Sequence, residues 1–237
     1  MHYLPVIDLL DGIVVHARRG QRNDYRPLAT RLAARPLPRE ILDGYLSLYP
    51  FKACYIADLN ALMARGTADH EIETLVAQYP TLQFWIDAAF GTRPTIPAYA
   101  GAPNVRCIIG AESLSSLARY HTLRAPLAAM PEPVLSLDFR GANFLGPAEL
   151  LASPALWPQH LIAMNLARVG SAEGPDLALL RRLRIAAPTA TLAAAGGVRD
   201  AADLAALRSL AVSHVLLASA LHAGALDAAT LREFATP

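Results

Sequence analysis

An α/β chain closed as a (β/α)8 barrel, a TIM barrel, is the fold class the sequence predicts. Three observations point to it: eight short apolar runs, amphipathic stretches between them, and a length of 237 residues. Eight βα units at that length match a closed barrel, whereas an open doubly wound sheet more often stops at about five or six strands. The chain, residues 1–237, is expected to form one barrel domain.

The runs follow in order. Leu4 to Leu9 opens the chain and holds Asp8; Ala53 to Leu59 follows the only lysine, Lys52; Gln83 to Ala88 and Val105 to Ile109 complete the first half. Val134 to Phe139, Leu161 to Leu166, Thr191 to Ala195 and His214 to Ala218 make the second. None alternates between apolar and polar residues, as expected of strands covered by helices on a parallel sheet. HEIETLVAQY, PDLALLRRLRIAA and DAADLAALRSLA read as helices, with Asp69, Asp176 and Asp200 placed to cap or charge their first turns.

The two halves resemble each other. PVIDL with Asp8 is echoed by VLSLDF with Asp138, 130 positions on. YIADLNALMARG is echoed by IAMNLARVGSAEG, IDAAFGTR by LAAAGGVR, and VRCIIGAESL by SHVLLASALH. Four pairs in the same order predict internally duplicated half-barrels.

Composition excludes several functions. Apolar residues make up 54% of the chain and the formal charge is +1, with no basic run, so neither a disordered chain nor a nucleic-acid partner is expected. No apolar stretch reaches the ~18 residues of a membrane span. The start, MHYLPVIDLLDG, carries Asp8 and Asp11 where a signal peptide is basic and then apolar, so a cytoplasmic protein without membrane contact is expected. Cys54 and Cys107 lie in apolar runs and read as buried, reduced thiols. Lys52 alone is available for Schiff-base chemistry, at a position that starts a strand.

In such barrels the active site lies at the C-terminal strand ends. Those ends offer Asp8, Asp58, Asp87, Glu112, Asp138, Asn165, Gly196, Gly197 and Ser219. Each carboxylate could instead cap a βα turn. Asp8 and Asp138 differ from the rest, because equivalent positions in two half-barrels face each other across the axis and suit general acid and base work. Gly196 and Gly197, followed by Arg199 and a helix near Asp200, offer a phosphate seat, with a plain tight turn as the alternative. His16, Arg18, Arg19 and Arg22 follow strand one, where they either fold over an anionic substrate or pack on the rim in solvent. Asp11 reads as part of a turn with Gly12.

PVIDLLDGIVV, AGGVRDAADL and the half-barrel echo resemble the histidine-biosynthesis barrels, namely phosphoribosylformimino-AICAR-phosphate isomerase and the cyclase subunit of imidazole glycerol phosphate synthase. The resemblance covers nearly the whole chain. It implies a (β/α)8 fold, no organic cofactor, and phosphate sites at strands three to four and seven to eight; a phosphorylated small-molecule substrate and no metal are expected. Asp8 matches the family's strand-one Asp and Asp138 the strand-five Asp that serves the cyclase, while Gly196, Gly197 and Ser219 match the second phosphate site. His16 stands where the cyclase has a positively charged side chain. Asp58, Asp87, Glu112, Asn165 and Arg168 join it as expected substrate contacts.

The departures are specific. The isomerase carries an acid after strand six where ARVG has Val169. The glycines of the first phosphate site have become Asp87-Ala88-Ala89-Phe90, and the Gly-Ser pair at strand four has become Gly110-Ala111-Glu112. Carboxylates repel phosphate, so a substrate phosphorylated at both ends is expected to bind poorly.

DYRPL, YIADLNALMARG, IIGAESL and ARVGSAEGPDL resemble more closely a branch of these barrels found beside genes for tetrahydromethanopterin-type one-carbon cofactors. That resemblance implies isomerase-type chemistry on a pterin-linked ribose phosphate. Three alternatives stand beside it: the histidine-pathway isomerase, a catalytically silent barrel serving as a partner subunit, and a divalent-metal enzyme using Asp58, Asp87, Glu112 and Asp138.

Overall fold

Apolar runs separated by amphipathic stretches can bury both faces of each strand only if the sheet is wrapped in helices, and closing it removes both edges. A computed structural model describes residues 1–127 and 130–236. Its eight parallel strands are β1 (His2–Leu10), β2 (Ala53–Asp58), β3 (Gln83–Asp87), β4 (Val105–Gly110), β5 (Val134–Arg140), β6 (His160–Asn165), β7 (Thr191–Ala195) and β8 (His214–Leu217). Each pairs with the next, and β8 returns to β1 with His2 opposite His214 and Pro5 opposite Leu217. The ends differ from the expected runs by no more than two residues.

The pleat sorts each strand into two sets. Leu4, Tyr55, Trp85, Ile108, Val134, Ile162, Ala193 and Leu216, one residue from each strand, pack together inside the barrel. Their neighbours in sequence, such as Tyr3, Cys54, Phe84, Cys107, Leu135, Leu161, Leu192 and Val215, pack outward against the helices. Both cysteines are buried and free.

The helices are α1 (Pro38–Leu48), α2 (Asp69–Gln78), α3 (Leu117–Leu127), α4 (Leu177–Ala186), α5 (Ala201–Ser209) and α6 (Ala228–Phe234). Asp176 accepts from the Leu179 N–H at 2.9 Å and Asp200 from the Asp203 N–H at 3.1 Å, so both act as caps, while Asp69 charges the first turn of α2. The βα alternation weakens after β3, where among the described residues only the 3₁₀ turn Ala98–Gly101 is found, and after β5, where the covering helix shrinks to the single turn Ala148–Leu151. Among the described residues no helix is long and apolar enough to cross a membrane.

The half-barrel echo extends to hydrogen-bond register. β1 turns back at Asp11-Gly12 so that Leu9 lies opposite Val14 and Leu10 opposite Ile13. β5 turns back so that Phe139 lies opposite Phe144 and Arg140 opposite Asn143. All four positions of the second hairpin lie 130 residues beyond those of the first. Asp11 completes its turn by accepting from Asn60 Nδ2 at 2.8 Å.

Candidate functional site

The inward set of each strand continues to its C-terminal end, so the same two-residue period decides which polar groups face the mouth. Counting from Leu4 brings in Asp8; from Trp85, Asp87; from Val134, Asp138. These carboxylates border a cavity of about 350 Å³ together with Glu112, His16, Arg22, Tyr25, Tyr55, Val169, Gly196, Gly197 and Ser219.

Three expected substrate contacts lie elsewhere. Asp58 follows Ile56, not Tyr55, and so points outward, fully buried. Its two oxygens accept from the N–H groups of Ala61 and Ala68, both at 3.0 Å, and Arg93 stands 4.0 Å away. Asn165 occupies the same outward position at the end of β6. It accepts from the Gly141 and Ala167 N–H groups and donates to Asp176 at 2.8 Å, tying three loops together. Arg168 clamps its own loop through the Glu173 carbonyl at 3.1 Å. The four-carboxylate metal set loses Asp58 by the same argument; among the described residues no three His, Cys, Asp or Glu side chains are placed to hold a metal ion.

The cap role of Asp58 has a measurable consequence. Asp58→Ala is expected to cost about 1–2 kcal/mol of stability and to leave anion binding at the mouth unchanged. Denaturant unfolding and a phosphate titration measure both, and lost binding in a folded variant would return Asp58 to the site.

The segment after β1 is built as a strap over the mouth. Ile13–His16 forms a strand, the Arg19 N–H donates to the Val169 carbonyl at 2.7 Å, and Arg19 pairs with Glu173 at 2.7 Å. Arg22 reaches into the cavity and pairs with Glu112. His16 Nε2 lies 3.2 Å from the Ser219 hydroxyl. Arg22, Tyr25 and Tyr55 are cavity residues that the strand ends alone did not single out.

Charge at the mouth is strongly constrained. Burial, opposed by Arg22, lifts Asp8 to about 7. Burial and the Glu112 charge lift Asp138 to about 7, although Ser136 Oγ donates to it at 2.6 Å and the Glu112 N–H at 3.0 Å. Burial, then Asp138 and Glu112, push Asp87 well above the usual carboxylate range. Desolvation and like charge thus act together. His16 is lowered by burial and by Arg18.

The expected phosphate seat and the acidic position at the end of β3 differ in backbone as well as charge. Gly196 and Gly197 have φ of +97° and +89°, and a Cβ on Gly197 would stand 2.2 Å from the Gly174 carbonyl oxygen. Only glycine fits there. At the acidic position Ala89 has φ +53°, and its N–H is turned to Asp87 at 3.3 Å.

Residues 3–227 match the family described as Histidine biosynthesis protein. The chain is also 27% identical over 184 residues to an uncharacterized protein of Methanocaldococcus jannaschii, a match that covers 76% of each chain.

Proposed function

Because the chain belongs to the histidine biosynthesis protein family, we propose that it is an acid/base isomerase acting on an aromatic amine joined to a phosphosugar. One observation carries the reading: Asp8 and Asp138, at equivalent points of the two half-barrels, line one cavity and both titrate near neutrality. That is where groups that take and give protons work best. The Gly196-Gly197 turn and Ser219 seat the substrate's phosphate, and His16 and Arg22 close over it from the strap.

The resemblance to the tetrahydromethanopterin-associated branch supports a pterin-linked ribose phosphate as the substrate. Arg22 already engages Glu112. Glu112, held in place by that pair, is the carboxylate that meets the amino-amide edge of the pterin. The reaction opens the sugar ring by acid and base at the anomeric carbon and moves the carbonyl along the chain. Val169 and the acidic first seat weigh against the histidine-pathway isomerase.

The test is the small molecule that accumulates in cells lacking the gene. A pterin-linked ribose phosphate is expected, and the gene should not restore growth without histidine to a strain lacking the histidine-pathway isomerase. Accumulation of an imidazole carboxamide ribotide, or clear growth without histidine, would sink the reading.

A further inference from the structure

Ring opening needs a group that arrives protonated, and the position that supplies an acid in the resembled isomerase is Val169, a cavity residue with no proton to give. The structure holds another carboxyl that the pair Asp8 and Asp138 leaves unused. Asp87 is 5% exposed and ends β3 facing the cavity. Its Oδ1 accepts one N–H, from Ala89 at 3.3 Å, and its Oδ2 has no hydrogen-bond partner among the described residues.

Gly110 shows how Asp87 and Asp138 are related. A Cβ built on this glycine would lie 3.2 Å from Asp87 Oδ2 and 3.5 Å from Asp138 Oδ2, so the two oxygens border the same point. Their surroundings are unequal. Both oxygens of Asp138 accept hydrogen bonds, from Ser136 Oγ and from the Glu112 N–H, which favours the ionised form. Asp87 Oδ2 is free to carry a hydrogen.

We propose that Asp87 and Asp138 share one proton, that it resides on Asp87 Oδ2, and that Asp87 is the acid that protonates the substrate in place of the one whose position Val169 occupies. Ionising one of two neighbouring buried carboxyls disfavours ionising the other, and the one with fewer donors keeps the proton. The inference rests on the isomerase reading for its chemical step. In that step the O–H bond of Asp87 breaks and its proton goes to the sugar-ring oxygen. The bond from the anomeric carbon to that oxygen breaks with its electron pair going to the oxygen, and the amine lone pair forms the C=N bond. Asp8, across the cavity and without a hydrogen-bonded donor of its own among the described residues, then takes the proton from the neighbouring carbon.

The charged and titratable groups facing Asp87 are Asp138 on β5, Glu112 after β4, Arg22 from the strap, Asp8 on β1 and Tyr55 on β2. Isotope-edited infrared spectroscopy of protein labelled with ¹³C at aspartate reads protonated carboxyls directly and uses no substrate. At mildly alkaline pH, above the titration of Asp8, one carboxylic acid band is expected in the wild type and in Asp8→Asn. It should vanish in Asp87→Asn. In Asp138→Asn, which removes the neighbouring charge, its titration should move down by about one unit or more.

No band in the wild type, a band that survives in Asp87→Asn, or a titration unmoved in Asp138→Asn would overturn the proposal. The Asp138→Asn arm decides alone should Asp87→Asn not fold. Metabolite accumulation tests the isomerase reading separately, so the two can fail independently.

Discussion

Replacing Asp8 or Asp138 by Asn is expected to abolish turnover while making the protein more stable above neutral pH. The swap keeps shape and removes proton transfer at Asp8 and, at Asp138, the charge that keeps the proton on Asp87; proton transfer is typically worth ~10² to 10⁴ in rate. Stability follows from linkage. Burial lifts both carboxyls from 3.8 to about 7, so the folded state holds their protons more tightly than the unfolded chain does. Their contribution is fully present below the unfolded value and is lost as pH rises through the folded one. The loss reaches up to roughly 4 kcal/mol for each group, and Asn has no charge to desolvate.

His214 and His222 act in the opposite sense. Burial lowers each to about 4, so their contribution is present above 6.5 and is lost as pH falls through 4. Between these values the two slopes offset each other in the wild type. The double Asn variant should expose more of the histidine slope, with stability rising between about pH 4 and 6.5 against the remaining opposite contribution of Asp87. Denaturant unfolding across the pH range measures this. If both single variants instead unfolded far more easily than the wild type at alkaline pH, these carboxylates would be structural.

Gly197→Ala is expected to have the largest effect of any single methyl added at the mouth. Its backbone lies at φ +89°, and the new Cβ would meet the carbonyl oxygen and carbon of Gly174 at 2.2 and 2.6 Å, neither of which can swing aside. Backbone strain and overpacking together should cost about 2–5 kcal/mol. Phosphate binding should be lost with it, as read by calorimetric titration with inorganic phosphate. Gly196→Ala meets its nearest atom, the Asn165 carbonyl oxygen, at 3.1 Å and should be milder. Undiminished phosphate binding in a folded Gly197→Ala protein would move the anion seat elsewhere.

The strands, the caps at Asp176 and Asp200 and the inward pair Asp8 and Asp138 were legible because each depends on local pattern: apolar run length, helix-start chemistry and strand parity. Asp58 and Asn165 were misread as mouth residues for one reason. Both end their strands one residue out of phase with the inward positions Tyr55 and Ile162, and in runs that are apolar on both faces the phase is hard to see. The echo of YIADLNALMARG in IAMNLARVGSAEG already set Asp58 and Asn165 at equivalent positions, and the structure gives them equivalent outward roles. Arg22 was legible only as one of several basic residues after strand one. Its pairing with Glu112 spans 90 residues and depends on how the strap folds, which no local pattern encodes.

The matched hairpins, offset by 130 residues, bear on how a ligand is oriented. Two identical halves would present a twofold-symmetric seat, in which a bound molecule could enter either way round with equal energy. In this chain the symmetry is kept where Asp8 and Asp138 stand and broken at the rim, with Asp87 and Glu112 on one side and Gly196, Gly197 and Ser219 on the other. The rim therefore gives the cavity a head and a tail. On the proposed reading, a substrate with one anionic end and one end rich in hydrogen-bond donors sits in a single direction only, which would fix which of its carbons meets Asp8 before any proton moves.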